Sequence, residues 1–505
     1  MANERIASSI EEGVVSNSPG RPPLSPPPLS PYGAFSQAQK TMILAIVTCA
    51  AVSTFFSLNI YLPLLPTLSR ELDVSISMIN LTVTFFMVLF AIGPMFYATL
   101  ADAKGRKPIF VAALVVYNTA NIALATAPAR YASFVVLRIV QGLGASAFYS
   151  VGAGCIADVF EPRQRARAIA VFSMGPQLGP ILGPSIGGAI AQREGWRWTF
   201  GFLAIFGGFT LLVILLLLPE TLQSRVDCTK PQPWIPWPPF KRTVRSNNNL
   251  ISRSEGRWKV ILGLLKHPVA MISTVNMALV FGSYYSVVVS FPTLLEDEYG
   301  FNMVRIGLAY LAPGITMIFS SLCCGYISDR ARKKLLLQTG AADVGLEHRV
   351  KLQVIGIAIL PAGAIVYAWV GHFAVHAAAT IVGISICAFA LAWTVSTNTT
   401  YMTLLRPQHS ATAVAFSAFM MNASAAIGTA IVNPVVEAEG FGWCFTGFAF
   451  VGLITLGMAI LAIVKGPSWT KTETDESELQ SIRPLERLGE LPDVRTGSGN
   501  EGKEA

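Results

Sequence analysis

The chain has 505 residues, 52% of them apolar and 13% charged, with a formal net charge of +8 at pH 7. A soluble domain carries roughly 25% charged residues, so this balance excludes an ordinary soluble protein and points to a polytopic membrane protein. The excess of bases sits in short loops between apolar runs, where membrane topology accounts for it, and a nucleic-acid partner is excluded.

Residues 1–38 are rich in Pro and Ser, carry Glu4, Glu11 and Glu12, and lack the apolar core of a signal peptide. They are predicted to form a disordered cytoplasmic tail. Ser18, Ser25 and Ser30 each precede a proline, which suits a kinase but is equally what such a composition yields. Apolar runs follow at 42–65, 79–100, 108–126, 134–157, 166–191 and 200–218, then at 269–291, 304–327, 352–370, 373–395, 411–432 and 441–464. Each is long enough to cross a hydrocarbon core of ~30 Å as a helix. The expected fold is an all-α membrane protein of twelve transmembrane helices, numbered here as spans 1 to 12, in two six-helix halves at 39–222 and 267–465. Between the halves, residues 223–266 hold Trp234, Trp237, prolines and many bases, and read as a cytoplasmic linker with an interfacial patch. Residues 466–505 are polar and acid-rich and read as a second disordered tail. The seven cysteines offer no disulfide framework and read as small packing residues.

Span 2 ends in GPMFYATLADAKGRKP, where an apolar run stops on one acid and three bases. This stretch resembles the signature loop of the major facilitator superfamily, with Asp102, Gly105, Arg106 and Lys107 on the family pattern. Ala98 replaces its leading Gly, and Ala103 stands where a base is common. A second copy, GYISDRARKK, places Gly325, Asp329 and Arg330 after span 8, with Arg332 where the first copy has Gly105. Bases of both loops, Arg163, Arg165, Arg167 and the linker fall on one side, which puts both termini in the cytoplasm. Two matching halves express a parallel repeat about an axis along the membrane normal, with a substrate site between them near the midplane. The resemblance implies a gating role for the loops. Asp102 is expected to meet the exposed amides at the start of span 11 near Ala411, Asp329 those of span 5, and Asp158 to pair with Arg106 and Arg165 when the inner gate is shut and to separate from them when it opens.

In span 4, LRIVQGLGASA puts Arg138 and Gln141 on one helical face, resembling a second family motif. An intramembrane arginine costs about 2.5–3.5 kcal/mol unless it faces a polar cavity or snorkels, and Arg138 is read as facing a cavity, for substrate binding or proton coupling. In span 5, SMGPQLGPILGPSIGG spaces Gly175, Gly179, Gly183 and Gly187 four apart, a face that lets helix backbones approach closely. Gly179, Pro180, Gly183, Pro184, Gly187 and Gly188 are similar to the antiporter motif of the superfamily's exporters. SLNIYLPLLPTL, INLTVT, GWRWTF and LPETL narrow the resemblance to the twelve-span drug:proton antiporters, in particular a fungal branch related to quinidine-resistance transporters.

That resemblance implies a secondary active exporter of a small organic molecule (a drug, toxin, fungal secondary metabolite or organic acid), driven by proton antiport through alternating access. Spans 1, 4, 7 and 10 would line the site, with Ser57, Asn59, Tyr61, Arg138, Gln141, Asn276, Tyr284, Tyr285 and Trp393 as coupling or substrate-binding residues. An uptake facilitator and a non-transporting receptor on the same fold are the alternatives. No Walker A motif, metal-ligand cluster or nucleophile–base pair is present, so neither an enzyme, a metal nor a cofactor is expected. The implied partners are substrate, protons and the bilayer, for a monomer in the plasma membrane or, alternatively, the vacuolar membrane. No Asp or Glu lies in the middle of any span, which argues for a neutral or anionic substrate.

Overall fold

The computed structural model describes residues 35–222, 261–339, 347–405 and 410–489, and among these every regular element is helical. Span 1 runs Gln37–Asn59 and continues through a 3-10 turn, Leu62–Leu64, into a short helix, Leu65–Glu71. Spans 2 to 6 are Ile76–Lys104, Arg106–Thr126, Tyr131–Val159, Pro162–Glu194 and Trp196–Leu217. In the second half span 7 is Pro268–Asp297, followed by a short helix, Met303–Ala309, and span 8, Leu311–Thr339. Spans 9 to 12 are Glu347–His372, Ala377–Leu405, Ser410–Glu439 and Phe441–Gly489, the last continuing well past the apolar run that ends at Val464.

Local chemistry sets the helix ends. Ser36 and Gln39 form a capping box at the start of span 1, with the Gln39 amide 3.3 Å from Ser36 Oγ and the Ser36 amide 2.9 Å from Gln39 Oε1. Ser75 caps span 2 through the Met78 amide. Spans 5 and 6 meet at Gly195 and spans 11 and 12 at Gly440, single-residue links with φ of 86° and 84°. Eleven of the described helices are apolar and long enough to cross a bilayer on an 18-residue window. Span 5 is the exception in composition alone: at 33 residues it is long enough, and its glycines and charged ends lower its hydropathy.

The two halves repeat one packing scheme. Spans 1 and 5, 2 and 4, 3 and 4, and 3 and 6 pack together, and so do 7 and 11, 8 and 10, 9 and 10, and 9 and 12. A side-chain pair repeats as well: Ser57 and Tyr117 hydroxyls lie 2.7 Å apart between spans 1 and 3, and Ser290 and Tyr367 hydroxyls 2.9 Å apart between spans 7 and 9. Behind each tyrosine a glycine of the next span is in close backbone contact. A Cβ on Gly144 would lie 2.7 Å from the Tyr117 nitrogen, and one on Gly383 would lie 2.8 Å from the Tyr367 nitrogen.

Across the halves, span 2 packs on span 11, and span 5 on Met303–Ala309 and span 8. At the end remote from the signature loop, called here the far end, the halves are tied together. Arg70 pairs with Glu296 at 2.5 Å, Ser77 donates to Glu437 at 2.9 Å, Ser185 donates to the Gly307 carbonyl at 2.9 Å, and the Val304 amide donates to Gln192 at 3.1 Å. Deeper in the same seam the Thr84 and Thr429 hydroxyls lie 2.9 Å apart.

Candidate functional site: a buried arginine in the first half

The signature loop is a knot of charges within the first half. Arg106 binds Asp102 at 2.8 Å and Asp158 at 2.9 Å, joining the end of span 2 to the end of span 4 through the start of span 3. The Asp158 pairing, expected from the sequence for a shut inner gate, is present here together with the ion pair Arg70–Glu296 at the far end. Arg165 instead donates to the carbonyl of Ala157, at 2.8 Å. The Glu220 carboxylate, just after span 6, accepts from the Arg106 amide at 2.9 Å and the Lys107 amide at 3.3 Å, as well as from Thr221 and Leu222. It therefore caps span 3, whose own cap residue, Gly105, has no side chain to do so. A Cβ on Gly105 would lie 2.6 Å from Glu220 Oε2, at a φ of +100° that disfavours any other residue. Lys107 is 1% exposed and reaches back to the Leu215 carbonyl at 2.9 Å, closing the C-terminal turn of span 6. LPETL was legible as a family string, but its role as a cap was not. In the second copy Arg330 is exposed and its guanidinium donates to the Tyr326 hydroxyl at 3.0 Å. The side chains of Asp329 and Ala411, on which the expected latch falls, lie outside the described residues.

Arg138 is 0% exposed, so it neither snorkels nor looks into an open cavity as the sequence suggested. It is packed among spans 1 to 4. One guanidinium nitrogen donates to the Ser57 carbonyl at 3.1 Å and to Gln141, and Gln141 in turn donates to Asn121 at 2.6 Å. The guanidinium carbon lies 3.9 Å from the Tyr61 ring centroid and 4.7 Å from that of Phe86, a geometry in which ring quadrupoles attract the cation. Its Nε and second Nη make no hydrogen bond among the described residues, and no described carboxylate pairs with it. Ser57, Tyr61, Arg138 and Gln141 thus come together as expected. Phe86, Tyr117 and Asn121, which complete the cluster, were not singled out from the sequence.

The remaining candidates are all buried but dispersed. Tyr285 packs against Phe281 and Tyr284, while the Tyr284 hydroxyl approaches Met317 Sδ at 3.9 Å. Asn276 is 0% exposed, and neither of its amide atoms has a hydrogen-bond partner among the described residues. Trp393 departs from the expectation: its indole donates to the Leu352 carbonyl at 2.8 Å and stacks on Phe389, so it binds span 10 to span 9. Asn398, in a sequon, belongs to a polar cluster the sequence did not reveal, with Ser273 2.8 Å from Asn398 and 3.0 Å from Gln353. The asparagines of the three sequons, Asn80, Asn398 and Asn422, are all buried.

Span 5 turns its glycine face to span 1. A Cβ on Gly175 would lie 3.0 Å from Thr48, one on Gly179 2.6 Å from the Phe55 carbonyl carbon, and one on Gly183 3.3 Å from the Ile60 nitrogen. At Gly187 it would enter the Ile60 carbonyl oxygen, and at Gly188 the Met303 carbonyl oxygen of the other half. Pro180 and Pro184 lie in this same stretch, the Pro184 carbonyl facing Gly307 across the halves. Among the described residues there is no group of His, Cys, Asp or Glu placed to hold a metal ion, and the six described cysteines form no disulfide with one another.

The family profile described as Major Facilitator Superfamily matches residues 47–429. The chain belongs to this superfamily. It is 37% identical to Dityrosine transporter 1 of Saccharomyces cerevisiae, over 84% of this chain and 80% of that one, and 34% identical to Multidrug transporter DTR1 of Candida glabrata, over 87% of each. Citrate exporter 1 of Aspergillus niger is 28% identical over 87% of this chain and 88% of its own. Among solved structures, a bacterial homologue of the human lysosomal transporter Spinster, inward-facing and unoccupied, superposes with a TM-score of 0.63 at 14% identity, over 86% of this chain and 99% of that one. The chain is therefore a multi-pass membrane protein of a superfamily of small-molecule transporters, and its fungal relatives support a role in efflux.

Proposed function

We propose that the protein is a proton-driven exporter of a neutral or anionic small organic molecule, and that Arg138 is its anchor for the substrate. The observation that carries this reading is a fully buried guanidinium with two unsatisfied nitrogens and aromatic rings on both sides. A cation buried without a counter-anion is costly, and a substrate carboxylate or carbonyl directed at Nε and Nη would relieve that cost. No acid lies mid-span to receive a cationic substrate. Among the relatives, the names Citrate exporter and Dityrosine transporter describe cargo of this chemistry.

The signature-loop end would face the cytoplasm and the far end the exterior of the plasma membrane, with the vacuolar lumen as the alternative. In the conformation described, the far end is tied shut by Arg70–Glu296, Ser77–Glu437 and the contact of span 5 with Met303–Ala309. Substrate would enter between the halves from the cytoplasm. Closure there would engage Asp102 with the start of span 11 and Asp329 with span 5, while the Asp102–Arg106–Asp158 knot and the Glu220 cap hold the first half rigid. The glycine face of span 5 supports export, because it matches the motif carried by exporters, and Gly188 beside it meets Met303 of the other half.

The test is transport by purified inside-out vesicles in the presence of competitors. Citrate or dityrosine should compete with the exported molecule while spermidine does not, and Arg138→Gln should abolish transport of the acid while leaving the protein folded. Spermidine export that survives Arg138→Gln would overturn the assignment.

A further inference from the structure

A cavity of about 420 Å³ opens at the far end of the first half, lined by Glu71, Thr126, Glu194, Trp196, Arg197 and Trp198 among others. It sits where two lipid-facing stripes converge. Along span 6 the exposed residues are Trp198, Ile205, Phe209, Leu212 and Leu216, and along span 3 they are Ala112, Val115, Thr119, Ile122 and Thr126. Both series advance in steps of three, four or seven residues, so each traces one helical face. Spans 3 and 6 pack together, and the last residue of each stripe, Thr126 or Trp198, borders the cavity.

The cavity's polar groups are of both signs and are not spent on each other. Arg197 lies over the Trp196 ring at 4.5 Å, and among the described residues it has no carboxylate partner. Glu194, on the other side of Gly195, is exposed and has no described basic partner. Glu71 accepts from the Trp196 indole at 2.6 Å, which fixes its carboxylate at the rim. We propose that this cavity is the headgroup site of a zwitterionic phospholipid. Its phosphate would meet Arg197, its ammonium would meet Glu194, Glu71 and the face of Trp198, and its acyl chains would run down the two stripes. With two carboxylates against one guanidinium, the site favours a headgroup with a cationic end over a singly anionic one. Trp198, 56% exposed at the end of an apolar stripe, has the position and amphipathic character of an interfacial anchor.

The site is independent of the transport reading and can be tested by binding alone. Delipidated full-length protein is titrated with phosphatidylcholine or phosphatidylglycerol and the retained lipid is counted by native mass spectrometry, with unfolding temperatures measured in parallel. Wild type should retain phosphatidylcholine in preference. Glu194→Lys and Arg197→Glu should each weaken it several-fold, and Glu71→Gln and Trp198→Ala less, while Trp443→Ala, an exposed tryptophan at the far end of span 12, should change nothing. Equal retention of the two lipids, a preference for phosphatidylglycerol, or an unaltered preference in folded Glu194→Lys and Arg197→Glu would each overturn the proposal.

Discussion

Gly188→Ala should open the far end of the transporter without unfolding it. A Cβ there would penetrate the Met303 carbonyl oxygen and come within 2.9 Å of its carbonyl carbon. Both atoms are backbone and cannot rotate aside. Restoring a carbon separation of about 3.5–4.0 Å requires the halves to part by roughly 1 Å at this point. Overpacking of this kind costs about 1–3 kcal/mol. Met303 belongs to the other half, so the cost falls only on the conformation in which the halves touch, and the closed-to-open ratio should fall by about 5- to 150-fold. Gly187→Ala is the control one residue away, because its Cβ strikes the Ile60 carbonyl within the same half and penalises every conformation alike. Spin labels on cysteines replacing the exposed Arg193 and Arg305, in a background without the native cysteines, report the distance between halves. Gly188→Ala should move the distribution to longer distances, whereas Gly187→Ala should lower thermal stability with little change of distance. An unchanged distribution in Gly188→Ala, or the same lengthening in both variants, would refute the reasoning.

Other consequences follow from the same geometry. Arg106→Asp and Asp158→Arg should each cost about 3 kcal/mol of stability or activity, since each strands a charge whose side chain is now only 8% or 11% exposed, and the double reversal should recover part of the loss in a mutant cycle. Gly105→Ala should lower thermal stability by about 1–2 kcal/mol through strain at φ +100° and collision with Glu220, and Glu220→Gln should be milder, since an amide oxygen still accepts from the span 3 amides. Gly183→Val and Gly187→Val should both insert, but Gly187→Val should lose export more completely, because its Cβ meets backbone oxygen whereas that of Gly183 has 3.3 Å of room. Normal transport by both valine variants would show that the glycine face does not seal against span 1.

What the sequence disclosed depended on whether a signal was periodic or local. The spans and the four-residue glycine face of span 5 are periodic, and each reappears in the structure, whereas the second signature stretch, 325–334, continues as helix within span 8 instead of forming a loop. The Arg106–Asp158 pair was also within reach, because both charges end apolar runs at the same side of the membrane. Glu220 was visible as part of LPETL, yet its partner amide lies 114 residues away and nothing local marks it as a cap. Tyr117 and Asn121 belong to a short polar patch in an otherwise apolar span, YNTAN, where a polar residue looks the same whether it lines a path or joins helices. Trp393 shows the converse error. A large aromatic in a pore-lining span suggests a contact for substrate, but its indole N–H needed an acceptor and found the Leu352 carbonyl. Arg138 is packed rather than beside an opening in the conformation described: Ser57, Gln141 and the two rings close around the guanidinium and leave its Nε and second Nη without a hydrogen bond.

The most direct test of the account is accumulation of an organic acid, with citrate and dityrosine as probes, in inside-out vesicles carrying an imposed proton gradient. Export by proton antiport predicts uphill uptake into these vesicles that collapses on addition of a protonophore and is lost in Arg138→Gln. Equilibration that is indifferent to the protonophore, or accumulation only in right-side-out vesicles, would contradict it.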